Sequence, residues 1–330
     1  MDILILDIGC TFSKALVYRA DKIISRFVDR TPETAQCIID TAISLVDAVL
    51  ADGYEISAII PMSFSESVIT EDHDGDLTLF GVMKNVLPGV ERPHYLKTGY
   101  PYHTFLSPAQ QLEFNRSNKQ TLRRALPVST TIAVHLTNNE LWKMWDHTHA
   151  SNSGLYGNGK WLKEADKYEK WIYTKHTGSP FRSVVGSLKD TNIPVFLGGH
   201  DTLFAMYPKP YAYVSCGTYI TASQPCEFMV EAREDWFKDV RWLQDVNGVY
   251  HRQLCMKSTD EIDHVQINRI RHFLSTDEIV VFGSYAEEMA GVLYDYAFQT
   301  KIVKDQQFIG AGRAVEEGLK QYSNMGTAAA

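Results

Sequence analysis

Hydrophobic and polar positions change period several times along the chain, most clearly in the first sixty residues. Ile3 to Leu6 form a short apolar run that ends in Asp7-Ile8-Gly9-Cys10-Thr11. Two further runs follow, Ala15-Leu16-Val17-Tyr18 and Ile23-Ile24-Ser25-Arg26-Phe27, with Ala20-Asp21 as the turn between them. Short apolar runs bounded by turn residues predict three strands joined by tight turns. Thr31-Pro32-Glu33 supplies a helix N-cap, a proline for the first turn and an early acid. Behind it Ala35, Ile38, Ile39, Ala42, Leu45, Val46, Val49 and Leu50 recur at the spacing of one helix face, and Gly53 sits where a terminating glycine belongs. Ile56 to Ile60 returns to a strand. The predicted order β-β-β-α-β is a mixed sheet with a crossover helix, unlike the start of a dinucleotide-binding fold.

From about residue 98 to 172 the pattern is mainly helical, with a Ser/Asn/Gly loop at 151–160. A second strand-and-turn series begins at Ile193: Pro194-Val195-Phe196-Leu197, Gly198-Gly199-His200-Asp201, then Tyr211 to Ile220 broken by Cys216-Gly217. Ile279-Val280-Val281-Phe282 reads as a buried strand, with helices predicted from Ala286 to about Phe298 and from about Ile309 to Lys320. This divides the chain into an N-terminal lobe, 1–190, and a C-terminal lobe, 191–330.

The length of 330 residues suits two domains, and 45% hydrophobic with 22% charged residues is an ordinary globular balance. A formal charge of -8 argues against nucleic acid or an anionic membrane surface as the main partner. Five cysteines (Cys10, Cys37, Cys216, Cys226, Cys255) are odd in number and never spaced as CxxC. Reduced thiols in a cytoplasmic protein are therefore expected, rather than disulfides or structural zinc. No basic leader precedes Asp7, and no apolar run approaches the roughly 20 residues that cross a bilayer, so neither a signal peptide nor a membrane span is predicted.

Four turns carry candidate chemistry. In Asp7-Ile8-Gly9-Cys10-Thr11-Phe12-Ser13-Lys14 an acid leaves a buried strand and a glycine-containing turn enters the next, aiming amides and hydroxyls at one point. That suits a phosphate, with the acid free to hold hydrated Mg2+; an ordinary hairpin with a polar turn has the same pattern. Gly198-Gly199-His200-Asp201-Thr202 leaves Asp201 at the mouth of a sheet, where it can accept a hydroxyl proton or merely cap a helix. Val214-Ser215-Cys216-Gly217-Thr218-Tyr219 is a second phosphate cradle or a bulge glycine. Phe282-Gly283-Ser284 lies between strand and helix, where a nucleoside could pass close to the backbone.

The succession of these turns resembles that of the FGGY carbohydrate kinases. Further stretches are similar to that family: Asp72-His73-Asp74-Gly75 to the hairpin closing its first sheet, Thr98-Gly99-Tyr100-Pro101, Ala150 to Tyr156 with Gly159-Lys160-Trp161, and Ile309-Gly310-Ala311-Gly312-Arg313-Ala314. Gly199-His200-Asp201-Thr202 with Gly217-Thr218-Tyr219 is most similar to the fuculokinase and rhamnulokinase branch. The resemblance implies an α/β fold of two actin-like (ribonuclease H-like) domains, with mixed sheets flanked by helices and a nucleotide cleft between them. It implies ATP and Mg2+, a small keto-sugar or polyol acceptor, and leaves room for a homodimer. Asp201 matches the catalytic base and, with Asp7, the metal site. Gly9, Thr11 and Lys14 match the first phosphate turn, where Cys10 replaces the usual threonine; Gly217 and Thr218 match the second and Gly283 the adenosine loop, with Cys10, Ser13 and Ser284 expected to touch the nucleotide beside them. Ser65, Glu66 and His200 fall near the acceptor. The chain departs from the family in its short second lobe, its single glycine in the adenosine loop and the missing W-x-D-R element near Val82 to Arg92. The rival expectations are a nucleotide-binding regulatory or ATPase-type relative and a sugar-binding module.

Overall fold

The computed structural model describes residues 1–64, 67–80, 108–216, 219–227, 240–257 and 264–328. Its strands, in chain order, begin with β1 (Asp2–Ile8), β2 (Phe12–Arg19), β3 (Lys22–Arg30), β4 (Ile56–Ser63), β5 (Val68–Asp72), β6 (Leu77–Phe80) and β7 (Leu122–Pro127). They continue with β8 (Tyr156–Gly157), β9 (Lys160–Trp161), β10 (Val184–Ser187), β11 (Pro194–Phe196), β12 (Gly199–His200), β13 (Tyr213–Cys216) and β14 (Tyr219–Pro225). The last four are β15 (Val240–Gln244), β16 (Tyr250–Lys257), β17 (Glu278–Gly283) and β18 (Gln299–Ile302). The helices are α1 (Ala35–Ala51), α2 (Pro108–Ser117), α3 (Val128–Thr137), α4 (His147–Ser151), α5 (His264–Phe273), α6 (Ala286–Asp295) and α7 (Gln306–Ala328).

The first sheet runs β10-β11-β4-β1-β2-β3, with β12 also paired to β4. β1 lies antiparallel to β2 and parallel to β4, so the sheet is mixed, as the β-β-β-α-β pattern predicts. Every residue of β1 is buried, and alternation sends its side chains to two different cores. Leu4, Leu6 and Ile8 meet α1 and α3 on one face, while Ile3 and Ile5 meet α7 on the other. The predicted face of α1 is the buried one. Its cap, however, is Thr34, whose hydroxyl accepts from the Cys37 amide; Thr31 serves the Gly9 turn instead.

The second sheet runs β15-β16-β14-β13-β17-β18 and packs its outer face on α5 and α6. Two sequence expectations change. The Asp72–Gly75 hairpin closes a separate three-stranded sheet, β6-β5-β7, rather than the first-lobe sheet. The middle, read as mainly helical, contains the strand β7, whose buried Arg124 pairs with Glu71. The Thr98–Pro101 and Val82–Arg92 stretches lie outside the described residues. No described helix is long and apolar enough to cross a membrane.

Two elements join the layers. The 3₁₀ helix Asp201–Met206 gives Phe204 to the core under the first sheet, and Leu203, Ala205 and Met206 to the inner face of the second. α7 crosses it closely: a Cβ on Gly310 would lie 2.0 Å from the Phe204 carbonyl oxygen. Upstream, Gly198 has φ +74°, and a Cβ there would lie 1.9 Å from the Pro61 carbonyl oxygen on β4. Only glycine lets β12 run this close to β4. Gly198→Ala is therefore expected to cost at least about 3 kcal/mol from backbone strain plus overpacking, measured by urea unfolding. Parent-like stability would show that β12 does not follow this path.

Candidate active site

Register assembles the site. Across the carboxyl ends of three parallel strands, Ile8 of β1 stands opposite Ser63 of β4, and Ser63 opposite His200 of β12. Asp7 and Asp201, each one residue from that row, are thereby brought to one place. Crevices at the carboxyl ends of strands in open α/β sheets are where ligands bind. Asp7 is buried, and its Oδ2 accepts a 2.8 Å ion-paired hydrogen bond from Lys14 Nζ. Burial raises its pKa to about 6; Lys14 opposes that rise, and the charge of Asp201 adds to it. The charge of Asp201 acts on Asp7 because register brings the two carboxylates to the same strand ends.

Asp201 keeps about a quarter of its side chain exposed. Burial alone would raise its pKa, but the His200 hydrogen bond and charge, the Thr202 amide and His149 outweigh it, and the net shift is downward. Both contacts fall on Oδ1: Thr202 N–H donates to it at 2.6 Å, and His200 Nδ1, which also meets Thr202 Oγ1 at 3.3 Å, lies 2.9 Å away. The carboxylate is thus ionised at neutral pH with Oδ2 left for a ligand. His200 is buried, its pKa lowered first by desolvation, and its Nε2 has no hydrogen-bond partner among the described residues.

The turn after β1 is tight: Gly9 N–H donates to the Phe12 carbonyl at 3.1 Å. Thr31 Oγ1 donates to the Gly9 carbonyl at 2.7 Å and so receives the Ser13 hydroxyl at 2.9 Å. Ser13 is fully buried and braces the turn from behind, whereas Cys10 and Thr11 are exposed at its tip. Lys14 reaches from Asp7 into a cleft of about 620 Å³, also lined by Arg26, Gly283, Ser284, Tyr285, Lys304, Asp305 and Phe308. Gly283 has φ +110°, and a Cβ on it would strike the Cys216 carbonyl 2.1 Å away, so β17 ends hard against β13. Lys14, Gly283 and Ser284 therefore share one cleft. Ser65, Glu66, Gly217 and Thr218 lie outside the described residues; their flanks, Phe64 and Cys216, abut Ile8 and Gly283 respectively.

Several residues here carried no usable signal in the sequence. The Asp146 carboxylate caps α4 by accepting the His149 amide at 3.0 Å, and binds His149 Nδ1 at 2.8 Å through its other oxygen. His149 Nε2 meets Ser63 Oγ at 3.3 Å. The pattern Asp146-x-Thr148-His149 is legible as a cap, but nothing local ties it to residues 63 and 200. On the opposite side a seam joins α4 to the second sheet: Ser151 Oγ accepts from Gln244 N at 2.9 Å, and Asn152 Oδ1 from Arg241 at 3.4 Å.

The buried Asp7 carboxylate and the partly exposed Asp201 carboxylate near it form a hard-oxygen donor pair whose repulsion a divalent cation relieves. Mg2+ commonly takes one or two protein carboxylates and fills its remaining positions with water and phosphate. Among the described residues no group of three or more metal-ligating side chains occurs. Asp7 and Asp201 fit that sparse requirement.

No family model and no curated protein matches the chain. Solved structures do. The xylulose kinase from Rhodospirillum rubrum is similar at TM-score 0.76 and 12% identity over 96% of this chain and 90% of that one. The gluconate kinase from Lactobacillus acidophilus is similar at TM-score 0.73 and 13% identity, over 97% and 90%. Plasmodium falciparum glycerol kinase with ADP is similar at TM-score 0.67 and 13% identity, again over 97% and 90%. The fold is that of two actin-like domains, mixed sheets flanked by helices, shared with carbohydrate kinases.

Proposed function

We propose that this chain is an ATP-dependent kinase that transfers the γ-phosphoryl group to a hydroxyl of a small keto-sugar or polyol. The observation that carries the reading is the placement of Asp7 beside Asp201 at the strand ends, linked through Lys14 to the cleft of Gly283 and Ser284. Phosphoryl transfer asks a protein chiefly for positioning and charge neutralisation. Asp201 Oδ2 receives the acceptor proton, and its low pKa keeps it ionised for that task. The exposed tip at Cys10 and Thr11, with Lys14 behind it, binds phosphate, and Gly217 with Thr218 forms the facing loop. Mg2+ held by Asp7 and Asp201 would offset phosphate charge. Gly283 and Ser284 lie along the nucleoside. Ser65, Glu66 and His200 border the acceptor, in the manner of the fuculokinase and rhamnulokinase branch. We place the lobe division after β12 rather than at residue 190, because β11 and β12 pair with β4 in the first sheet, and the lobes close about the 3₁₀ helix and α7.

The test is a coupled ADP-release screen over ketopentoses, deoxyketohexoses, glycerol and tetritols with Mg-ATP. At least one acceptor is expected to raise ADP release well above the acceptor-free rate. A thermal shift with Mg-ADP but no acceptor-dependent turnover across the screen would replace this reading with a nucleotide-binding regulator.

A further inference from the structure

The base proposed above is held through an imidazole pair that the reaction itself does not require. His200 is fixed twice. Its backbone N–H donates to Thr148 Oγ1 at 2.9 Å, and its ring stacks on that of His149, with centroids 6.0 Å apart and planes inclined by 28°. His149 is in turn immobilised at both nitrogens, Nδ1 by Asp146 and Nε2 by Ser63. Ser63 Oγ accepts the Ser129 amide at 3.1 Å, so its hydroxyl hydrogen is free to point at His149. Asp146 also receives the Thr148 hydroxyl. One fully buried carboxylate therefore sets both supports of His200, the hydroxyl behind its backbone and the ring beneath its face. Gly199 makes room for them, since a Cβ there would lie 2.8 Å from Thr148 Oγ1.

The consequence reaches Asp201 through hydrogen-bond direction. With its ring plane fixed, His200 holds Nδ1 2.9 Å from Asp201 Oδ1 and 3.3 Å from Thr202 Oγ1, and its Nε2 has no hydrogen-bond partner among the described residues. We infer that His149 is a positioning residue: its anchored ring locks the rotamer and tautomer of His200, which holds the Asp201 carboxylate with Oδ2 turned to the acceptor. The inference rests on Asp201 being the acceptor base. A misplacement of about 1 Å at such a base can cost about 10²-fold in rate.

His149→Phe keeps an aromatic face and removes both anchors. With the best acceptor its kcat is expected to fall by about 10- to 100-fold while KM for acceptor and nucleotide changes less than about twofold. Ser63→Ala removes only one anchor and should lose less, and serves as the second variant should the first fail to fold. ¹⁵N-histidine NMR supplies a readout independent of turnover. His200 is expected as a single Nδ1–H tautomer in the parent and as an exchanging mixture in either variant. Unchanged kcat alongside a lowered melting temperature, or a single Nδ1–H tautomer in the parent and both variants, would overturn the inference. Absence of acceptor-dependent turnover in the parent sinks the kinase reading instead, and the tautomer result still decides the role of His149.

Discussion

Asp201→Asn is expected to reduce acceptor-dependent ADP release by about 10²–10⁴-fold, the range a positioned general base supplies, without unfolding the protein. The amide is nearly isosteric, and its oxygen still accepts from the Thr202 amide and from His200 Nδ1. What it cannot do is take a proton. KM for nucleotide should change modestly, because the cleft at Lys14, Gly283 and Ser284 is untouched. The same substitution removes the negative charge that helps hold the Asp7 pKa near 6. A carboxyl resonance assigned to Asp7 should therefore titrate at lower pH in the variant. Full turnover in Asp201→Asn would remove the base from the mechanism; an unmoved Asp7 titration would show that the two carboxylates do not face each other.

The separation of what was readable beforehand from what was not follows the range of the forces involved. The strands β1 to β4 and helix α1 were legible because their period is set by local burial on each face. The turns at Gly9 and Gly198-Gly199 were legible because glycine at a strand end marks close backbone approach, which the 1.9 Å meeting of a Gly198 Cβ with Pro61 makes concrete. The strand β7 was not legible because Arg123 and Arg124 interrupt its apolar pattern, and their partner Glu71 lies more than fifty residues away on β5. His149, Asp146 and Ser63 were hidden for a different reason. Their chemistry exists only through pairings across 86 residues of chain, and no local pattern encodes a register between β4 and α4. The docking of α7 on the first sheet was also out of reach, although its small residues Gly310 and Ala311 were visible as a motif.

The fold and the chemistry rest on different supports. Similarity at 12–13% identity shows that the chain follows the path of carbohydrate kinases. Such a path hosts more than one function. What argues for phosphotransfer is the arrangement of side chains: two carboxylates at the strand ends, one contacted by a histidine, the other by a lysine that also lines the cleft of Gly283 and Ser284. A fold with no use for ligand there could remove the repulsion between the carboxylates by placing amides at both positions.

Asp7→Asn accordingly is expected to stabilise the protein while abolishing turnover. Folding raises the Asp7 pKa from 3.8 to about 6, so the folded state binds this proton more tightly than the unfolded chain does. The contribution of Asp7 to stability is complete below about pH 4 and is lost as pH climbs through about 6. Above that, the buried carboxylate costs about 3 kcal/mol, at about 1.4 kcal/mol per pKa unit. Asparagine carries no such cost, and Lys14, with about a third of its side chain exposed, can turn to water when its partner is gone. The melting temperature of Asp7→Asn should match the parent near pH 4 and exceed it by roughly 5 °C at pH 7.5. With Mg-ADP the order should invert, since the parent gains ligand stabilisation and the variant lacks the carboxylate that holds the cation. A variant less stable than the parent at both pH values would mean that the Lys14 ion pair outweighs desolvation, and the carboxylate at residue 7 would then be a structural anchor rather than a site held ready for charge.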